Sequence, residues 1–177
     1  MNTAIPWARI LLIAGNLAML IGAIDPMEGS LLILPGSGLV VLGSCLGGQQ
    51  RSTVIFRMWV FFLILFGVTA LWLLSAQGGI GGTTGLSMWW GLLFVPYLIG
   101  WSIGIWGPSS PRWVLWSGIG VGIWYQVILV MTFKMSVNLD EPVSTRIFVV
   151  FIAAIGVLTI IGCIYRLRKI AKTSICI

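Results

Sequence analysis

The chain has 177 residues, 59% of them hydrophobic and only 8% charged, with a mean hydropathy of +1.08. A soluble domain carries about a quarter charged residues, so this composition excludes a water-soluble globular protein, which could not cover its surface. The net charge of +6 does not indicate nucleic acid either, because the basic residues are dispersed, cluster only at 166–172, and have no soluble region to carry a binding fold.

Six apolar segments follow one another along the chain. Each approaches the ~20 residues that a helix needs to cross a ~30 Å hydrocarbon core, where the backbone must satisfy itself internally. The expected fold is all-α: a polytopic membrane bundle of about six transmembrane helices with both termini cytoplasmic, in one transmembrane domain over 1–177.

The first span is placed at 7–24. Arg9 followed by the apolar run Ile10–Ile24 resembles a signal peptide, but Ala23-Ile24-Asp25-Pro26 offers no small-x-small cleavage site. The segment is read as an uncleaved span, with Asn16 as a candidate intramembrane polar residue. The second span, 26–46, contains Pro35, Gly36 and Gly38. Asp25 suits an N-cap, Pro26 the first helical position, and Glu28 the position that reaches back to the cap amide. A helix begun at Pro26 crosses comfortably; a re-entrant loop is the alternative. Asp25, Glu28 and Ser30 form a candidate functional or capping group at the outer mouth. Two carboxylates a turn apart could bind a cation or relay a proton, but at the membrane surface, where charge is tolerated, the cap explains them.

The third span, 54–76, carries Thr69, and Gly78-Gly79-Ile80-Gly81-Gly82 follows as an outer loop. That loop lacks the lysine and helix of a phosphate-binding motif. The fourth span, 86–106, has Pro96 midway, which is expected to kink it or free a carbonyl. The fifth, 111–133, opens at Ser110-Pro111 with Ser110 as N-cap, and contains Gln126. The sixth, 144–166, is opened by Asp140-Glu141-Pro142 and Ser144. A short basic cytoplasmic tail, 167–177, follows. Arg166, Arg168, Lys169 and Lys172 attract anionic lipid at ~1 kcal/mol per charge.

Orientation follows from the basic residues. With the N-terminus inside, eight of the ten (Arg9, Arg51, Arg57, Arg112, Arg166, Arg168, Lys169, Lys172) face the cytoplasm and two (Lys134, Arg146) face outward. A five-span arrangement splits them seven to three. In the six-span arrangement all four acidic residues (Asp25, Glu28, Asp140, Glu141) lie outside.

Glycine pairs four residues apart, Gly43/Gly47, Gly100/Gly104 and Gly118/Gly122, mark faces where helix backbones approach closely. Most of the ten tryptophans fall near span ends, as in an aromatic belt. No ionisable residue lies at the centre of a span, where coupled carriers place them. Asn16, Thr69 and Gln126 are read as helix-bonding groups. The chain has no histidine, and its three cysteines (Cys45, Cys163, Cys176) show no metal spacing. No cofactor, metal or catalytic residue is expected. The expected function is a non-catalytic structural or accessory subunit of a membrane complex in a bacterial inner membrane. The expected partners are membrane lipid, with anionic lipid at the cytoplasmic face, and a membrane-protein partner or a second copy. A small-solute or lipid transporter or channel is the alternative, drawn from the breaks at Pro35-Gly36 and Pro96.

Overall fold

A computed structural model describes residues 6–25, 28–79, 87–138 and 143–175. They form an all-α bundle of six helices: α1 (Pro6–Gly22), α2 (Ser30–Leu46), α3 (Arg51–Ala76), α4 (Val95–Trp106), α5 (Arg112–Asn138) and α6 (Val143–Ile175). A 3-10 helix, Met88–Phe94, runs directly into α4. Four segments are long and apolar enough to cross a membrane: α3, the 3-10 helix with α4, α5 and α6. At 1.5 Å per residue, the 17-residue helices α1 and α2 each extend about 25 Å.

Successive helices run antiparallel, so the bundle has two chemically distinct ends. Asp25 and Glu28 mark an acidic end; Arg9, Arg51, Arg112 and Arg166 mark a basic one. The first hairpin is built on glycines. Ala8, Gly15 and Gly22 of α1 face Gly43, Gly36 and Gly29. A Cβ on Gly15 would lie 2.6 Å from the Gly36 carbonyl oxygen, and one on Gly22 2.5 Å from that of Gly29. Backbone therefore rests on backbone through the whole hairpin, the arrangement that maximises dispersion contact where no hydrophobic effect drives association. The sequence carries the signature: glycines at 15, 22, 29, 36 and 43, seven residues apart.

The same device joins α3 to α4. Gly67 lies under Tyr97, Gly100 against Leu63 and Ile64, and Gly104 against Val60 and Met19. In the third pair, Gly122 receives Ile160, and Gly118 touches Ile105 and Cys163. The core of Met19, Ile33, Val60, Ile64, Tyr97, Trp101, Ile105, Val114 and Leu115 runs between these pairs. Large apolar side chains elsewhere point outward, such as Met131 and Leu158, which are 67% and 62% exposed. That is the inside-out exposure expected where the surroundings are hydrocarbon.

Several boundaries differ from the sequence expectation. The second helix starts at Ser30, with Gly29 at its N-cap and no side-chain cap bond. Asp25 does cap, but one turn earlier: its carboxylate accepts from the Glu28 amide at 3.4 Å, and its carbonyl accepts from the Gly29 amide at 2.7 Å. The chain reverses in this turn because Gly29 packs directly on the carbonyl of Gly22. Pro26 lies outside the described residues. The helix runs unbroken through Pro35, so this segment is a continuous helix, not a loop. Pro96 does not kink the middle of a helix; it sits in the first turn of α4, where its missing amide leaves no bond unmade. Ser110 does not cap α5, whose first turn bonds to the Pro111 carbonyl. The basic segment after 166 continues α6 to Ile175, with Leu167 and Ile170 packed on the core. Residues 80–82, Asp140, Glu141, Pro142 and Cys176 lie outside the described residues.

Candidate functional site

The basic end is organised by Arg57, which the sequence places among exposed cytoplasmic charges. Its side chain is only 3% exposed. The cause lies far along the chain. Helix α4 stops because Pro108 has no amide to donate to the Gly104 carbonyl one turn back. Arg57 supplies that donor: Nη1 donates to Gly104 O at 2.8 Å, while Nη2 donates to Pro108 O at 3.0 Å and to the Ser110 hydroxyl at 3.1 Å. The guanidinium thus sits at the negative end of the α4 dipole and pins the loop into α5. Arg166 adds a second donor there, to Gly107 O at 3.3 Å. The Nε of each arginine has no partner among the described residues.

The acidic end is held by aromatic donors. The last turn of α1 tightens so that the Ala23 amide bonds Leu20 O, which frees the Met19 carbonyl. Trp101 Nε1 donates to that carbonyl at 3.0 Å, and the Tyr125 hydroxyl donates to Ala23 O. Two helices distant in sequence, α4 and α5, thereby fasten the end of α1. Trp101→Phe leaves the Met19 carbonyl buried without this donor and should cost about 1.5 kcal/mol, measured as a shift in equilibrium unfolding in mixed micelles. A midpoint equal to wild type would show that the carbonyl finds another donor.

The structure separates the candidate group Asp25, Glu28 and Ser30. Asp25 and Glu28 are exposed on the turn, whereas Ser30 is fully buried and accepts from Trp72 Nε1 at 3.1 Å. Asn16 is 2% exposed; its amide donates to Leu12 O at 2.7 Å within α1, and its Oδ1 has no partner among the described residues. Gln126 reaches across to α6, donating to Ala153 O at 2.9 Å beside Gly156. Such an interhelical bond is worth about 0.6 kcal/mol. Thr69 bonds back to Leu65 O within its own helix. Gly43, Gly100, Gly104, Gly118 and Gly122 all lie in helix contacts inside the chain, and Gly47 ends α2 by bonding to Gly43 O. Arg168, Lys169 and Lys172 are exposed along the last turns of α6. Among the described residues, no three of Asp, Glu and Cys converge on a position that would hold a metal ion.

Two clefts open toward the acidic end. The larger, of about 650 Å³, lies along α3 beside Trp90 and Leu93. The other, a cavity between the α3–α4 and α5–α6 pairs, measures about 340 Å³ and is bounded by the last turns of α3 (Leu71, Leu74), the start of α4 (Phe94, Tyr97, Leu98), α5 (Tyr125, Leu129) and Ile152 of α6. A smaller recess of about 40 Å³ continues inward past Tyr97 to Ser102 and Thr159. This cavity and its recess are apolar apart from these hydroxyls and those of Ser75 and Tyr125. No sequence signal marks the cavity, because its walls come from four helices whose apolar residues look like any lipid-facing surface.

Compared with protein-family models, curated proteins and solved structures, the chain finds no match.

Proposed function

We propose that this chain is a small, non-catalytic accessory or structural subunit of a complex in a bacterial inner membrane, crossing the bilayer six times with both termini in the cytoplasm. The observation that supports it is the fate of the polar side chains within the helices. Asn16, Ser37, Ser44, Thr69, Gln126, Thr132 and Thr159 each donate to a backbone carbonyl, most of them within their own helix. The buried charge of Arg57 is likewise engaged by backbone carbonyls and the Ser110 hydroxyl. Of those uncharged side chains only Gln126 ties two helices together; the others spend their donors on backbone of their own helix. A carrier needs ionisable groups facing a path near the midplane. The topology follows the excess of arginine and lysine at the basic end.

The test is purification of the tagged protein, at native expression and in gentle detergent, with mass spectrometry of what accompanies it. A membrane protein recovered in fixed stoichiometry, whose own level falls when this chain is deleted, is the expected result. A homo-oligomer accompanied only by bound solute would overturn the reading in favour of transport.

A further inference from the structure

The cavity between the α3–α4 and α5–α6 pairs holds polar groups that the packing leaves unused. Tyr97 is 3% exposed and Ser102 6%, yet neither hydroxyl makes a hydrogen bond among the described residues. Tyr97 lines both the cavity and its inner recess. The Tyr125 hydroxyl reaches the acidic end, bonded to Ala23 O, whereas Tyr97 lies midway along the span Trp89–Trp106, at the depth of acyl chains.

A void this size is expensive to leave empty, because its lining loses dispersion contacts on one side. It is too apolar to fill well with water, which needs two to four polar partners per molecule. Its volume of about 340 Å³ falls within the range of ligand sites, which combine apolar walls with a few fixed polar groups. The cleft exists because α3 packs on α2 and α4 while α5 packs on α6, so the two pairs part beside the first turn of α4. The medium outside that gap is the bilayer.

We propose that this cavity binds the end of one acyl chain of a phospholipid from the acidic-end leaflet, seated beside Tyr97 between the two helix pairs. Leu98, Leu129 and Ile152 form the wall against the chain. The site is independent of the accessory-subunit reading: a subunit of a complex and a solitary protein could each hold such a lipid.

The test uses the full chain in phosphatidylcholine vesicles doped with phosphatidylcholine that bears a diazirine at the end of one acyl chain. After irradiation, adducts are mapped by peptide mass spectrometry. Adducts are expected at Leu98, Leu129 or Ile152 as well as at the exposed residues Met131 and Leu158. Leu98→Trp, which fills the cavity, should lower the cavity adducts about tenfold, the effect of ~1.4 kcal/mol in affinity, and leave those at Met131 and Leu158 unchanged. Persistence of the Met131 and Leu158 adducts reports an intact bundle, and Ile152→Phe, on the facing wall, must reproduce the Leu98→Trp result. Adducts confined to exposed residues would overturn the proposal, as would cavity adducts unaffected by either filling variant. If a trace of an isoprenoid benzoquinone displaces the cavity adducts while the same amount of unlabelled phosphatidylcholine does not, the occupant is a quinone and the phospholipid assignment falls.

Discussion

Replacing Arg57 with alanine should destabilise the bundle by about 3 kcal/mol, the scale for removing one partner from a buried charged network. The loss is not mainly that of a charge. It leaves the Gly104 and Pro108 carbonyls and the Ser110 hydroxyl without this donor in a region nearly sealed from water. The Gly104 carbonyl cannot be rescued from within its own helix, because Pro108 has no amide. Arg57→Lys should recover only part of the loss, since one ammonium does not reproduce a planar fork that meets three acceptors. Arg51→Ala, at an exposed position, should stay within about 0.5 kcal/mol of wild type. Equilibrium unfolding in mixed micelles measures all three. An Arg57→Ala midpoint matching that of Arg51→Ala would mean that the guanidinium does not cap α4.

The second large effect is expected in the first hairpin. Gly36→Leu should cost about 3 kcal/mol, the upper range for overpacking a close contact. Its Cβ would meet the Ala18 side chain and the Gly15 carbonyl, each at 2.9 Å. The clash is with backbone, so no rotamer relieves it, and α1 must move away from α2. Gly120→Leu is the control: a Cβ there has nothing within 4 Å, and the better helix former should be neutral or slightly stabilising. Paired cysteines at Leu11 and Leu39, which flank the glycine contact on α1 and α2, would report the separation of the hairpin as a change in crosslinking. Equal stability of the two leucine variants would show that the glycine register is incidental.

The helices were legible because hydropathy is a property of each segment alone, and lipid demands it of every span. Their ends were less so. The expected start of α2 at Pro26 rested on local capping chemistry, and Asp25 does perform it. The position of Ser30, however, is decided by Gly22 pressing on Gly29, a contact between two helices. The hairpin register was in the sequence all along, but as a seven-residue repeat that a search for glycines four apart passes over. Arg57 was illegible for a different reason. It sits near a helix start among other arginines, and only the missing amide of Pro108, far along the chain, gives it work. Trp101 fell in with a belt of tryptophans, although it is 7% exposed and bonded inward. Gln126 was the readable case, because an amide in hydrocarbon has few choices but a carbonyl on the next helix.

The glycine contact between α1 and α2 also bears on how the chain enters the bilayer. At about 25 Å, each of these helices is marginal as a solitary anchor. Held backbone to backbone through a turn of a few residues, they amount to a single wedge whose halves shield each other's peptide groups. Such a wedge can be delivered to the membrane in one movement during synthesis, before α3 has been made. Trp101 and Tyr125, which clasp the end of α1, belong to α4 and α5, so they can engage it only after those helices have been made.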